Sequence, residues 1–351
     1  MDILILGGTG AMGVPLVKLL SKKENKIYVT TRSRKENQEN VTFVQGNAKN
    51  ADFFLSLMDR QYDAIIDFMV YGTEEFEHRI PLLLDHTNQY FFFSSSRCYA
   101  ESKTPITEDS PRLVDICTDE TYLSTDEYGL AKGREENLLF ESGRKNWTII
   151  RPYITYNSYR IQLGVYEKEN WLRRALEGRT IVFPKDIAER RTSLTFGSDV
   201  AGALVDLIGN EKAYGEAFHI TTDEFHTWGD ILEFYCKKIK EKTGKKPKVK
   251  FVNDSTELQN VWNRWQIKYD RLYDRTFDNS KIESVRGKYD YKPCFEGLEE
   301  CLNNFLENPK WLSMNIKYEA WCDRQTGEIT PLSEIPGKKN KLKYIKWRFL
   351  G

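Results

Sequence analysis

The chain carries no excess charge of either sign. Lysine plus arginine and aspartate plus glutamate number 52 each over 351 residues, so no net field draws it toward nucleic acid or an anionic membrane. Metal-binding spacing is missing as well: Cys98, Cys117, Cys236, Cys294, Cys301 and Cys322 form no Cys-x-x-Cys and no Cys/His pattern. Reduced thiols and no bound metal are expected. No apolar run reaches the ~20 residues that span a bilayer. The first strand is expected to begin at Asp2, with no room ahead of it for a signal peptide. A cytoplasmic protein without nucleic-acid or membrane partners is the expectation. There is no internal repeat or low-complexity tract, and "PGKKNKLKYIK" near the C-terminus is expected to be a solvated basic tail.

What is present is alternation. Short apolar runs, "DILILG" (2–7), "KIYVTT" (26–31), "VTFVQG" (41–46), "DAIIDFMV" (63–70), "QYFFFSS" (89–95) and "WTIIRP" (147–152), read as strands. Between them lie helical patterns over 11–24, 50–60, 73–87 and 126–143. Strict alternation of this kind predicts an α/β protein with a doubly wound, Rossmann-like parallel sheet covered on both faces. After residue 152 the pattern loosens, into helices or helix–strand units at 170–183, 198–209 and 228–244 and one strand at 216–222. The expected organisation is a nucleotide-binding domain over 1–155, joined by segments near 190–222, and a smaller mixed substrate lobe with a C-terminal tail over 156–351.

Two motifs carry chemistry. In "GGTGAMG" (7–13), Gly7, Gly10 and Gly13 follow a strand and open a helix. That placement turns backbone N–H groups and the positive helix end toward a pyrophosphate, and glycine leaves room for its approach. Tyr-x-x-x-Lys occurs twice, at Tyr128/Lys132 and at Tyr99/Lys103. The second copy runs into Thr104-Pro105, and proline disfavours helix in the residue before it. Tyr128 and Lys132 lie within a helical pattern, where i and i+4 share a face. An ammonium beside a phenol favours the phenolate, which suits proton transfer at a hydroxyl while hydride moves at carbon.

In order along the chain, "GGTGAMG", "FFFSSSRCYA" (91–100), "YGLAK" (128–132), "IIRP" (149–152), "SDVAGAL" (198–204) and "FDNSKI" (277–282) resemble the extended short-chain dehydrogenase/reductases, in particular the NAD-dependent epimerase/dehydratase family that modifies nucleotide-activated sugars. The resemblance extends to about residue 305. It implies Tyr128, Lys132 and Ser95 as the catalytic set, with Ser95 placed by alignment on the tyrosine of "SSRCYA". It implies cofactor contacts from Gly7, Thr9, Gly10, Met12, Gly13, Asn47, Lys132 and Pro152, and substrate contacts from Ser96, Arg97, Tyr99, Tyr156, Asn157 and Arg191. Homodimerisation through the tyrosine helix and its predecessor is a further implication.

Three departures stand out. Asn47 replaces the aspartate that follows strand 3 in the family, Ile154 replaces a substrate-supporting asparagine, and the expected phosphate arginine is shifted among Arg190 and Arg191. The dehydratases carry Thr-Asp-Glu at the end of strand 5, whereas here that position reads Ser95-Ser96-Arg97. The Thr125-Asp126-Glu127 of this chain instead opens the tyrosine helix, with Ser124 or Thr125 expected as its N-cap. Oxidation–reduction is therefore expected without 4,6-dehydration, either as 4-epimerisation or as keto-sugar reduction. Strand 2 ends in Thr31 rather than an acid, with Arg32 and Arg34 following, so NADP is expected over NAD. The alternative is a non-catalytic cofactor-binding sensor or RNA-associated scaffold of the same fold.

Overall fold

The computed structural model describes residues 1–350. They divide into two compact units, Met1–Tyr156 with Ser193–Glu224 and Phe277–Cys294, and Asn157–Thr192 with Phe225–Thr276 and Phe295–Gly351. The first unit thus ends its leading segment one residue beyond the expected 155. It also takes in Phe277–Cys294, which the expected division placed in the substrate lobe over 156–351.

The first unit is built on seven strands, β1 (Asp2–Leu6), β2 (Lys26–Thr31), β3 (Val41–Gln45), β4 (Tyr62–Asp67), β5 (Thr87–Phe93), β6 (Trp147–Pro152) and a seventh, Glu216–Ile220. Their order is seventh–β6–β5–β4–β1–β2–β3, and every pairing is parallel. Side chains of successive strand residues point to opposite faces, and both faces are apolar. Ile3 and Ile5 of β1 join a core with Leu16 and Leu20 of α1 (Gly13–Leu20) and with Val200 and Leu204 of the helix Gly197–Leu207. Leu4 and Leu6 join a second core with Phe54 and Leu57 of α2 (Ala51–Leu57) and Phe76 and Ile80 of α3 (Thr73–Asp85). The sheet is therefore sandwiched, as its continuous apolar strands require. Because β1 pairs with β2 on one side and β4 on the other, the strand order reverses there. In open α/β sheets such a switch point places a crevice beyond the strands' carboxyl ends.

The second unit packs aromatic residues, including Tyr166, Trp171, Trp228, Tyr318 and Trp321, all at most 1% exposed. Its C-terminal helices are tied down by charge. Arg174, wholly buried, meets Glu319, Asp323 at 2.9 Å and Glu328 at 3.1 Å. The segment expected to be a solvated tail is instead a helix, Lys338–Ile345, anchored by buried Tyr344 against Asp323. Its lysines stay in water while one aromatic side chain supplies the contact that orders it. Among the described residues no helix is long and apolar enough to cross a membrane.

Candidate active site

The loop between β1 and α1 is shaped by its glycines. Gly7 sits at φ +71°, a backbone that L side chains rarely adopt. A Cβ on Gly13 would lie 2.6 Å from the Gly8 backbone, so α1 can begin this close to β1 only with glycine there. Gly10 faces open space, with nothing within 4 Å of where its Cβ would be. The amides of Gly10, Ala11 and Met12 take no hydrogen-bond partner among the described residues, while Thr9 N–H folds back on Gly7 O at 2.9 Å. Exposed Thr9, open Gly10 and the start of α1 thus form a cradle of unspent donors, which fits a pyrophosphate.

Arg32 and Arg34 follow β2, are exposed, and pair with no carboxylate among the described residues. Arg34 also lines a cleft of about 420 Å³ with Lys35, Glu36, Asn37, Phe43 and Gln45. Exposed Asn47 uses its Oδ1 to accept from Lys49 N at 3.1 Å, closing a local turn after β3.

The tyrosine helix spans Tyr128–Phe140, shorter at both ends than 126–143. Its N-cap is Glu127 rather than Ser124 or Thr125. Glu127 Oε2 accepts from Gly129 N at 2.9 Å and from the Tyr122 hydroxyl at 3.1 Å, while its Oε1 accepts from Arg97 Nη2 at 2.6 Å. Burial opposes its ionisation, yet the Arg97 charge and these bonds outweigh burial and hold the carboxyl below its usual range. Thr125 Oγ1 is committed to Tyr122 O at 2.7 Å. Asp126 accepts from Thr73 N and Thr73 Oγ1, so it caps the start of α3. The acidic run ties two helix starts together, and no carboxylate stands in the Ser95-Ser96-Arg97 turn after β5.

Tyr128 is half-buried at the first helical position. The Lys132 ammonium lies 5.9 Å from its ring centre and 4.6 Å from that of Phe92 in β5. The Arg97 guanidinium stacks 5.1 Å from the Tyr128 ring. Ser95, extended at the end of β5, accepts from Arg97 N at 3.2 Å as the cap of the turn Ser96–Cys98.

Three expected substrate contacts fall elsewhere. Ser96 is fully buried and donates to Arg151 O at 2.8 Å, so its hydroxyl faces the sheet. Tyr99 is fully buried with its hydroxyl accepting from Arg151 Nη1 at 2.8 Å, and Lys103 lies outside any helix. Tyr156 is fully buried, its hydroxyl donating to Cys294 O at 3.4 Å. Each fills the interior of the first unit instead of facing a ligand. Pro152 closes β6 and is buried in register with Ile220. In the second unit, Asn157 Oδ1 accepts from Tyr159 N and Arg160 N at 2.9 Å each, and Arg191 is held by Asp274 at 2.9 Å.

Sequence reasoning missed the charges beneath the pair. Asp67, at the end of β4, is buried and accepts from the hydroxyls of Tyr71 and Tyr90, each at 3.0 Å. Burial pushes its carboxyl up to about 6, against the pull of Met69 N, the two hydroxyls and Lys132. Glu135 meets Lys132 directly at 2.8 Å. The i, i+3 spacing on the helix was the available signal for Glu135.

A parallel sheet with a glycine cradle at its switch point and a helix carrying Tyr128 and Lys132 beside it defines a Rossmann-like α/β fold. The family model described as "NAD dependent epimerase/dehydratase family" matches residues 3–220, and the chain belongs to that family. Among curated proteins it is similar to the chloroplast stem-loop binding protein of 41 kDa b of Arabidopsis thaliana, 28% identical over 256 residues. That match covers 67% of this chain and 62% of the relative's length. Among solved structures it resembles dTDP-glucose 4,6-dehydratase of Bacillus anthracis with NAD (TM-score 0.68, 19% identity, 89% of this chain and 98% of that one). It equally resembles UDP-glucuronic acid 4-epimerase of Bacillus cereus with UDP-glucuronic acid and NAD (TM-score 0.67, 16% identity, 88% and 99%). At these identities the likeness establishes the fold.

Proposed function

We propose that the chain is an NAD(P)-dependent oxidoreductase of a nucleotide-activated sugar, working by 4-epimerisation or keto-sugar reduction. The observation that carries this reading is the half-buried Tyr128 at its helix start with Lys132 one turn on, beside the crevice end of the sheet. A bound nicotinamide would supply hydride transfer. The chain's own residues do the rest: the loop amides of Gly10, Ala11 and Met12 hold the pyrophosphate, Ser95 bonds the reacting oxygen, and Tyr128 gives or takes its proton. Lys132 orients the nicotinamide ribose. Dehydration is outside this reading, because a 4,6-elimination needs an acid and a base near the sugar ring and the turn after β5 supplies none. A homodimer through α3 and the tyrosine helix belongs to the reading, as the family resemblance implies.

Incubating the protein with UDP- and dTDP-sugars, with and without NADPH, separates the two reactions. Turnover without added reductant indicates epimerisation, turnover only with it indicates reduction, and none in either case overturns the reading.

NADP is the preferred cofactor in the proposed reaction. Thr31 ends β2 where a carboxylate would repel a 2′-phosphate, and Arg32 and Arg34 are exposed and unpaired there. Arg32→Ala should weaken NADP by ~1.5–3 kcal/mol, as for a charged hydrogen bond, and barely change NAD. Equal losses for both cofactors, or a wild type that prefers NAD, would sink the assignment.

One observation favours a second reading, RNA contact. The Arabidopsis relative is named for stem-loop binding. In this chain Lys237, Lys240, Lys242, Lys245 and Lys246 are exposed and, among the described residues, unpaired. Their charge is hidden in the neutral total. If they hold phosphates, a labelled RNA stem-loop should bind with steep salt dependence, and Lys245→Glu with Lys246→Glu should abolish binding. Binding unaltered by that double change, or absent in the wild type, removes this reading.

A further inference from the structure

Lys132 already has a partner. Its Nζ lies 2.8 Å from Glu135 Oε2, and the two side chains are 1% and 0% exposed. Glu135 Oε1 is buried without a hydrogen-bond partner. Asp67 is the other buried carboxylate near the ammonium, but its oxygens are occupied by Met69 N and the hydroxyls of Tyr71 and Tyr90. Asp126 lies farther along the same helix start, spent on Thr73 and Arg134. A buried ion pair with one oxygen unused stabilises a fold poorly, since an apolar pair of similar volume would serve as well. Nothing in the packing explains an acid at position 135, whereas the need to hold an ammonium does.

We propose that Glu135 is a positioning residue that keeps Lys132 in place until a cofactor's ribose hydroxyls claim the ammonium, so that cofactor binding is coupled to proton uptake at Glu135. This rests on the reading above that Lys132 contacts the cofactor.

The sign of the coupling follows from the surroundings. Burial pushes the Glu135 carboxyl up to about 7 against the pull of Lys132, and Asp126 and Asp67 add to the rise. Taking Lys132 away removes the main force favouring the charged form, so the carboxyl moves higher still. At and somewhat above neutral pH it then gains a proton. At about pH 5 it is already protonated and little is taken up. Asp67 loses the same attraction, so its share must be separated.

Titration calorimetry of the wild type with NADP and with NAD, in two buffers of different ionisation enthalpy near neutral pH, measures the uptake directly. The expected result is uptake of up to about half a proton per chain at pH 7, approaching one somewhat above it and fading toward pH 5. Glu135→Gln should fold, bind cofactor and lose most of that uptake. Buffer-independent heats in the wild type, or uptake retained mainly in Glu135→Gln (which would assign it to Asp67), overturn the proposal. If Glu135→Gln does not fold, Asp67→Asn decides the matter: uptake kept there assigns it to Glu135, and uptake gone assigns it to Asp67 and refutes the proposal. No binding heat for either cofactor in the wild type has a different signature, removing the cofactor reading and this inference together.

Discussion

Replacing Tyr128 with phenylalanine should lower turnover by ~10²-fold or more while leaving the fold and cofactor binding intact. The hydroxyl makes no hydrogen bond that the fold needs among the described residues. The ring alone keeps the stacking against Arg97 at 5.1 Å. What is lost is the one group placed both at the crevice and one helical turn from an ammonium. Tyr99→Phe is the control. Its hydroxyl accepts from buried Arg151, so its removal should cost stability and spare turnover. Rates falling equally in the two variants would show that Tyr128 has no special part in proton transfer.

The largest effect on stability is expected away from the chemistry, at Glu136. Its carboxylate is fully buried and takes a two-pronged bond from Arg151, at 2.7 and 2.8 Å, and a third from Arg112 at 3.1 Å. Arg151 goes on to Tyr99 and to Glu108 O, so one carboxylate joins the tyrosine helix, β6 and the turn after β5. Glu136→Ala leaves the buried Arg151 guanidinium without its counter-charge and Arg112 with Asp115 alone, and should cost ~3–5 kcal/mol in urea unfolding. Burial opposes ionisation of Glu136, but Arg151 and its bonds dominate and hold the carboxyl below the ordinary range. Its contribution is therefore complete above about pH 4.5 and is lost as pH falls through the depressed value. A stability profile showing no acid-side difference between wild type and variant would contradict this assignment.

The parts of the molecule legible in sequence are those encoded by neighbours along the chain. Alternating apolar runs announce the strands, glycine before α1 announces the cradle, and i, i+4 spacing puts Tyr128 and Lys132 on one face. What stayed hidden depends on contacts between distant residues. Arg97 reaches Glu127 across thirty positions, which moved the helix cap two or three residues from the hydroxyls that local preference favours. Ser96, Tyr99 and Tyr156 carry polar tips that look like ligand contacts, but each tip bonds to an arginine or a carbonyl of the interior. Arg151 reads as part of a strand-end motif and proves to be the centre of a buried ion cluster. The lysine-rich C-terminus reads as solvated because its single anchoring side chain, Tyr344, finds Asp323 only in the folded unit.

In the proposed reaction Tyr128 moves a proton while hydride passes between a sugar carbon and a nicotinamide. The decisive experiment loads the wild type and Tyr128→Phe with oxidised cofactor, mixes each with a panel of nucleotide sugars and follows reduced nicotinamide by absorbance. The prediction is a transient or lasting rise in reduced nicotinamide with at least one sugar in the wild type, slowed by ~10²-fold in Tyr128→Phe. A wild type that binds cofactor yet reduces none of it with any sugar, or a variant reacting at the wild-type rate, would contradict it.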